Sequence, residues 1–308
     1  MFRLPNAPSP RAETHEIADF VEWCAWRDGK CSARAANTAI DQVDDNFEND
    51  GCDDDSDQTG TNLEEVFIEI ERRVKACGGG YPFVLDRIGS VLTHQARNDD
   101  PRHAIYHYLL LSTRLDMKNN RKHADIDGAD LLEHLGAHVM RNYLGVKRAK
   151  SEVFGTARSG GFSKKVDELC HSLGEGGGFK HWDSGRIYAN DAKLDVVTWV
   201  PFSDDHPGKL IVFTQCKTGS TWRNRLGDLN PQAFLKSWTQ HRCVAFDPLR
   251  AFCVSEAASQ SRWTEISTQA GIFLDRCRLV DFAHDIDPAL LKAFRRWTKK
   301  ASGSLQRS

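Results

Sequence analysis

Two apolar runs, residues 194–202 (LDVVTWVPF) and 209–219 (KLIVFTQCKTG), separated by the polar turn Ser203-Asp204-Asp205-His206-Pro207-Gly208, constrain this chain more than any other stretch. Their shortness, their β-branched and aromatic content and the Pro/Gly break predict an antiparallel hairpin in a partly buried sheet. Alternate strand residues share a face, so Gln215 and Lys217 point the same way, and the paired strand brings Asp195 beside them. Polar groups in such a strand lose hydration and need partners. Asp195, the side chain of Gln215 and the backbone carbonyl of Cys216 are hard oxygen donors of the kind Mg2+ prefers, and Lys217 is in reach of a phosphate or an attacking water. A Gln-x-Lys at the rim of a sheet is also ordinary, so the elements around it decide its meaning.

At 308 residues the chain can hold one large or two modest domains. No run of about 18 apolar residues predicts a membrane span, and the first residues, MFRLPNAPSPRAE, lack the apolar core of a secretory signal, so a cytoplasmic protein is expected. The nine cysteines are scattered without a CxxC pair, which points to reduced, buried thiols rather than to zinc or a disulfide framework. The net charge of −2 is uneven: nine acids and no Lys or Arg fall between 41 and 57, leaving a basic excess of seven elsewhere. The remainder can therefore face a polyanion.

Helical periodicity predicts helices over 15–27, 32–43, 63–76 and 101–115, with an acidic surface loop at 41–60. That loop lacks the EF-hand order of ligands. His103 and His107 have the i, i+4 spacing of a metal pair but no third ligand, so exposed helical histidines are the better expectation. Residues 1–118 thus read as a helical N-terminal region, and 119–308 as a second domain.

In residues 126–145 the apolar Leu132, Leu135, Gly136, Val139, Met140 and Tyr143 form one helical stripe, and Glu133 falls on its edge. A carboxylate there has to meet something positive, either a metal held by the hairpin or a flanking Lys or Arg. Glu175, in the loop Gly174-Glu175-Gly176-Gly177-Gly178, is a reserve candidate for the same role. Helices are expected at 162–173, 230–241 and 258–270, and strands at 179–182, 250–255 and 272–282.

The spacing Asp195-x19-Gln215-x-Lys217, with Leu132-Glu133-His134-Leu135 on the preceding helix, resembles the PD-(D/E)XK nuclease superfamily in the Gln-x-Lys variant of Mrr-like restriction endonucleases. The expected order from 127 onward resembles that superfamily's α-β-β-β-α-β core. The resemblance implies an α/β fold, restriction-endonuclease-like, with a central mixed sheet flanked by helices. It implies a Mg2+- or Mn2+-dependent nuclease acting on DNA phosphodiesters, with Asp195, Gln215, Cys216 and Glu133 as metal ligands and Lys217 beside the attacking water. It further implies an effector of anti-phage defence or restriction, oligomeric with itself or with an ATPase or helicase subunit, and no membrane. Gln215 stands where the family usually has an acid, which also fits a weak or inactive nucleic-acid-binding subunit. An RNA-directed nuclease is the other alternative.

Two basic segments suit nucleic acid. Trp222, Arg223 and Arg225 follow the hairpin directly, and Lys292, Arg295 and Arg296 lie on a C-terminal helix with Lys299 and Lys300. A capped basic loop and a solubilising helix are the plainer readings of the same residues.

Overall fold

The computed structural model describes residues 2–44, 63–97, 99–182 and 192–305. Most of the expected acidic loop at 41–60 lies outside the described residues; residues 41–44 continue a helix. The N-terminal part comprises α1 (Thr14–Asp28), β1 (Lys30–Ser32), α2 (Ala33–Asp44), α3 (Leu63–Ala76), β2 (Phe83–Leu85), β3 (Val91–His94) and α4 (Pro101–Arg114). Asp100 starts α4 by accepting from the Arg102 N–H at 3.0 Å, with Pro101 at the first helical position, where its missing N–H costs nothing. The three short strands form an antiparallel sheet in the order β1-β3-β2.

A two-stranded ribbon, β4 (Lys122–His123) with β5 (Ile126–Asp127), leads into α5 (Gly128–Leu144). Asp127 caps α5 through the Ala129 N–H at 2.9 Å. Then follow β6 (Lys150–Val153), α6 (Phe162–Leu173), β7 (Val196–Val200), β8 (Leu210–Lys217), α7 (Pro231–Trp238), β9 (Leu249–Val254), α8 (Trp263–Ala270), β10 (Ile272–Leu274), α9 (Arg276–Asp281) and α10 (Pro288–Leu305).

Among the described residues five of these strands form one mixed sheet in the order β10-β9-β8-β7-β6. The pairs β6/β7 and β7/β8 are antiparallel, with Val196 opposite Thr214, while β8/β9 and β9/β10 are parallel. The α/β expectation therefore holds at the level of a mixed sheet flanked by helices. Strand β8 is the centre and is covered on both faces, which is why its sequence runs apolar without alternation. On one side Val196, Val212 and Cys216 pack with Leu132, Leu135 and Val139 of α5. On the other, Val197, Ile211 and Phe213 pack with Val166 of α6 and Phe234 of α7. Helix α5 comes close because residue 136 is Gly: a Cβ there would lie 2.9 Å from the Cys216 Sγ. The first of these core clusters also takes in Val21, Ile70 and Tyr106 of the N-terminal helices, so residues on both sides of position 118 share it.

Two of the expected strands differ. The strand before the hairpin is β6, ahead of α6, not residues 179–182, where only Phe179 makes an isolated bridge to Thr239. Residues 272–282 split into β10 and α9, because the Asp275 carboxylate accepts from the Arg278 N–H at 3.1 Å and opens a helix.

Candidate active site at the strand ends

The hairpin turn lies at one end of β7 and β8, and the polar residues lie at the other. Asp195 precedes β7; its Oδ2 accepts the Cys216 N–H at 2.7 Å and stands 3.9 Å from the Lys217 Nζ. In an extended strand one residue's N–H and C=O leave on the same side, so the Cys216 carbonyl emerges on the edge that Asp195 occupies. Gln215 is fully buried, and neither its Oε1 nor its Nε2 has a hydrogen-bond partner among the described residues. An unpaired buried amide is a costly arrangement, commonly about 1–3 kcal/mol for each unsatisfied group.

Glu133 comes to the same end from α5. It is buried, and its carboxylate accepts from the Thr156 Oγ1 at 2.9 Å, the Thr156 N–H at 3.3 Å and the Ala157 N–H at 3.0 Å. Burial pushes its pKa above the usual carboxylate range, against the opposing pull of those bonds. Gly155 joins the two acids: its N–H donates to the Asp195 carbonyl at 2.9 Å, and a Cβ on it would fall 2.6 Å from the Glu133 Oε2. Only a glycine lets the carboxylate approach this closely. The Cys216 thiol, hydrogen-bonded to Cys253 and buried, has its pKa pushed far up, and the charges of both Asp195 and Glu133 add to that rise. Asp195, Gln215, Cys216, Lys217 and Glu133 thus gather around one corner of the sheet.

Sequence reasoning overlooked Lys165. It is buried on α6 and its Nζ donates to the Gly155 carbonyl at 2.7 Å, fixing the loop that holds Glu133. The signal was a lysine inside the apolar stripe Phe162, Val166, Leu169, Leu173.

Other candidates lie elsewhere. The Glu175 carboxylate accepts from Gly208 N–H at 3.1 Å and Ala245 N–H at 2.7 Å. Gly208 ends the hairpin turn, so the length of β8, at about 3.3 Å per residue, separates Glu175 from Lys217. Trp222 is 1 % exposed and donates its indole N–H to Glu256 at 2.7 Å, so its ring is core rather than a stacking surface. The Arg223 guanidinium lies 3.4 Å from Glu13, and Arg225 is exposed and 3.4 Å from Asp228. Lys292, Arg295 and Arg296 are exposed along α10 together with Lys299 and Lys300. His103 and His107 do not form a pair: the His103 Nδ1 accepts from the Arg97 N–H at 2.7 Å, whereas the His107 Nε2 meets the His94 Nε2 at 3.1 Å.

Comparison of the chain with protein-family models, with curated proteins and with solved structures finds no match.

Proposed function

We propose that this protein is a metal-dependent nuclease that hydrolyses DNA phosphodiester bonds at the end of strands β7 and β8. The observation that carries the reading is the Gln215 amide: fully buried, without a hydrogen-bond partner among the described residues, and two residues before Lys217, whose ammonium stands 3.9 Å from Asp195. The element order α5-β6-β7-β8-α7-β9, interrupted by α6, supports it, because it resembles the α-β-β-β-α-β core of the PD-(D/E)XK superfamily.

The donor set fits a hard divalent cation, since Asp195, the Gln215 Oε1 and the Cys216 carbonyl are all oxygens and Gln215 has no hydrogen-bond partner among the described residues. Bound there, Mg2+ or Mn2+ supplies an acidified water and neutralises charge on the phosphate. Asp195 is preset for this role by the Cys216 N–H, which fixes its carboxylate at the strand edge. The Lys217 ammonium is one-third exposed and positions a water or donates to a phosphate oxygen as charge builds there. Glu133, whose carboxylate is held by Thr156 and Ala157, would be the further acid available to such an ion, directly or through a water.

One observation favours a rival: among the described residues no three His, Cys, Asp or Glu side chains converge to hold a metal. A nucleic-acid-binding subunit without catalysis would look like this. Incubating plasmid, single-stranded DNA and RNA with the protein and Mg2+ or Mn2+ separates the readings. Metal-dependent cutting is expected, lost by at least about a hundredfold in Asp195→Ala and in Lys217→Ala, as for removal of an oxyanion-stabilising donor. Undiminished cutting by either variant refutes the assignment. The defence setting and the ATPase or helicase partner come only with the family resemblance and are proposed with it.

A further inference from the structure

We infer that Lys180, Trp182 and Arg242 form a platform for single-stranded nucleic acid, separate from the strand-end cluster. Trp182 is 41 % exposed, one of few large aromatic side chains so placed among the described residues. Its orientation is fixed, because the indole N–H donates to the Thr239 carbonyl at 3.0 Å. The Lys180 Nζ lies 3.8 Å and the Arg242 Cζ 4.7 Å from the ring centroid. Arg242 holds its position with φ at 58°, a left-handed conformation uncommon for a side-chain-bearing residue. Beside them the His181 ring stacks on Trp238, centroids 5.2 Å apart and planes 10° from parallel.

A rigid, half-exposed indole flanked by two cations answers both parts of a nucleotide. Every base has a π-face to lay on it, and each cation has a phosphate to meet. An exposed cation–π contact is weaker than base–aromatic stacking, so an incoming base displaces Lys180 from the ring and leaves that ammonium beside the strand's own phosphate. A duplex keeps its bases stacked inside and offers the indole nothing, which selects a single strand. Asp167, on α6, is engaged by the Phe179 N–H at 2.7 Å. A chain of contacts runs from beside the platform to the candidate active site: His181 stacks on Trp238, Trp238 touches Phe162 at the start of α6, and Lys165 on the same helix holds Gly155.

As a substrate surface the platform rests on the nuclease reading; as a binding surface it does not. The test therefore measures binding alone, by fluorescence anisotropy of labelled oligothymidylate of about 20 nucleotides, longer than a single binding footprint, without metal and in the Asp195→Ala protein. Trp182→Ala in that background is expected to weaken binding about tenfold, while Trp182→Phe retains it within about threefold. Replacing Lys180 and Arg242 together by Gln should lower the slope of log affinity against log salt by about 1.4, or 0.7 per lost phosphate contact. Equal binding of oligouridylate supports the platform, since stacking does not read the sugar. Unchanged affinity in Trp182→Ala, or tighter binding of duplex than of single strand, overturns it. Failed cleavage with intact Trp182-dependent binding sinks the nuclease and spares the platform; the opposite pair of results does the reverse.

Discussion

Two buried polar clusters in this molecule use similar side chains in opposite ways. Around Asp19, on α1, the guanidinium groups of Arg73, Arg114 and Arg276 are wholly buried and each is paired. Arg73 meets Asp19 at 2.8 Å, Glu22 at 2.8 Å and Glu69 at 2.9 Å; Arg276 meets Asp19 at 2.8 Å and donates to the Ser255 carbonyl at 3.0 Å. Burial alone would raise the Asp19 pKa, but the three arginines outweigh it and hold the carboxyl far below its usual range. The strand-end cluster differs at one member: Asp195 accepts the Cys216 N–H and Glu133 is bonded to Thr156 and Ala157, whereas Gln215 has no hydrogen-bond partner among the described residues. A network satisfied by its own protein organises structure. A buried amide left without a partner keeps capacity for something that is not protein.

The largest test of that contrast is Arg73→Ala. Removing one member of a buried, paired network leaves the other charges uncompensated and typically costs about 3–5 kcal/mol. That is a large part of the roughly 5–15 kcal/mol that stabilises an ordinary domain. Urea unfolding of the variant should show the midpoint collapse or the chain fail to fold; a shift under about 1 kcal/mol would mean the network behaves like surface pairs. The same loss would reach the N-terminal helices and the sheet together, because Arg276 follows β10 while Asp19 and Arg73 belong to α1 and α3.

Gln215→Leu should move stability the other way. Replacing an orphaned amide by an apolar group of similar volume removes the unmet desolvation penalty, for a gain of about 1–2 kcal/mol, while metal-dependent cutting falls away. If Gln215→Leu instead destabilises the protein, the amide has a partner in solution and its emptiness no longer argues for a ligand. Measuring unfolding with and without Mg2+ sharpens the point, because an ion that binds only the folded state should stabilise the parent and not the variant.

How much of this was legible in the sequence follows from how local each cause is. The hairpin, α5 with Glu133 and the capped starts of α4 and α7 all announce themselves within a few residues. Strand β6 (KSEV) was misplaced because it is an edge strand, half-exposed and mixed in polarity, and so carries no apolar run. Trp222 looked like a surface aromatic beside two arginines; its partner Glu256 is 34 residues away, and only the fold shows that the indole is buried. The arginine network was invisible for the same reason, since Arg276 and Asp19 are 257 positions apart. The site's polar residues were readable because they interrupt greasy strands. The platform at Trp182 was not, since its cations come from separate loops.

Between the two extremes stands a pair satisfied only on a condition. His94 and His107 face each other at 3.1 Å, with His107 stacked on Trp26 at 4.2 Å, and the contact requires one ring nitrogen to donate and the other to accept. Burial first, then the mutual repulsion of charged rings, holds the His107 pKa well below the ordinary value; burial and the His103 charge lower that of His94. The unfolded chain therefore binds more protons than the native one once pH falls below the ordinary value of about 6.5, so stability is complete above that pH and lost as pH falls. Each native histidine kept neutral should add up to about 1.4 kcal/mol per pH unit to the slope, until its own folded pKa is reached. Chemical denaturation between pH 7.5 and 5 measures the slope, and His107→Phe should flatten it by close to one proton's worth. An unchanged slope would show that His107 takes up its proton in the folded state, and that this pair belongs with the clusters that leave room rather than with those that are closed.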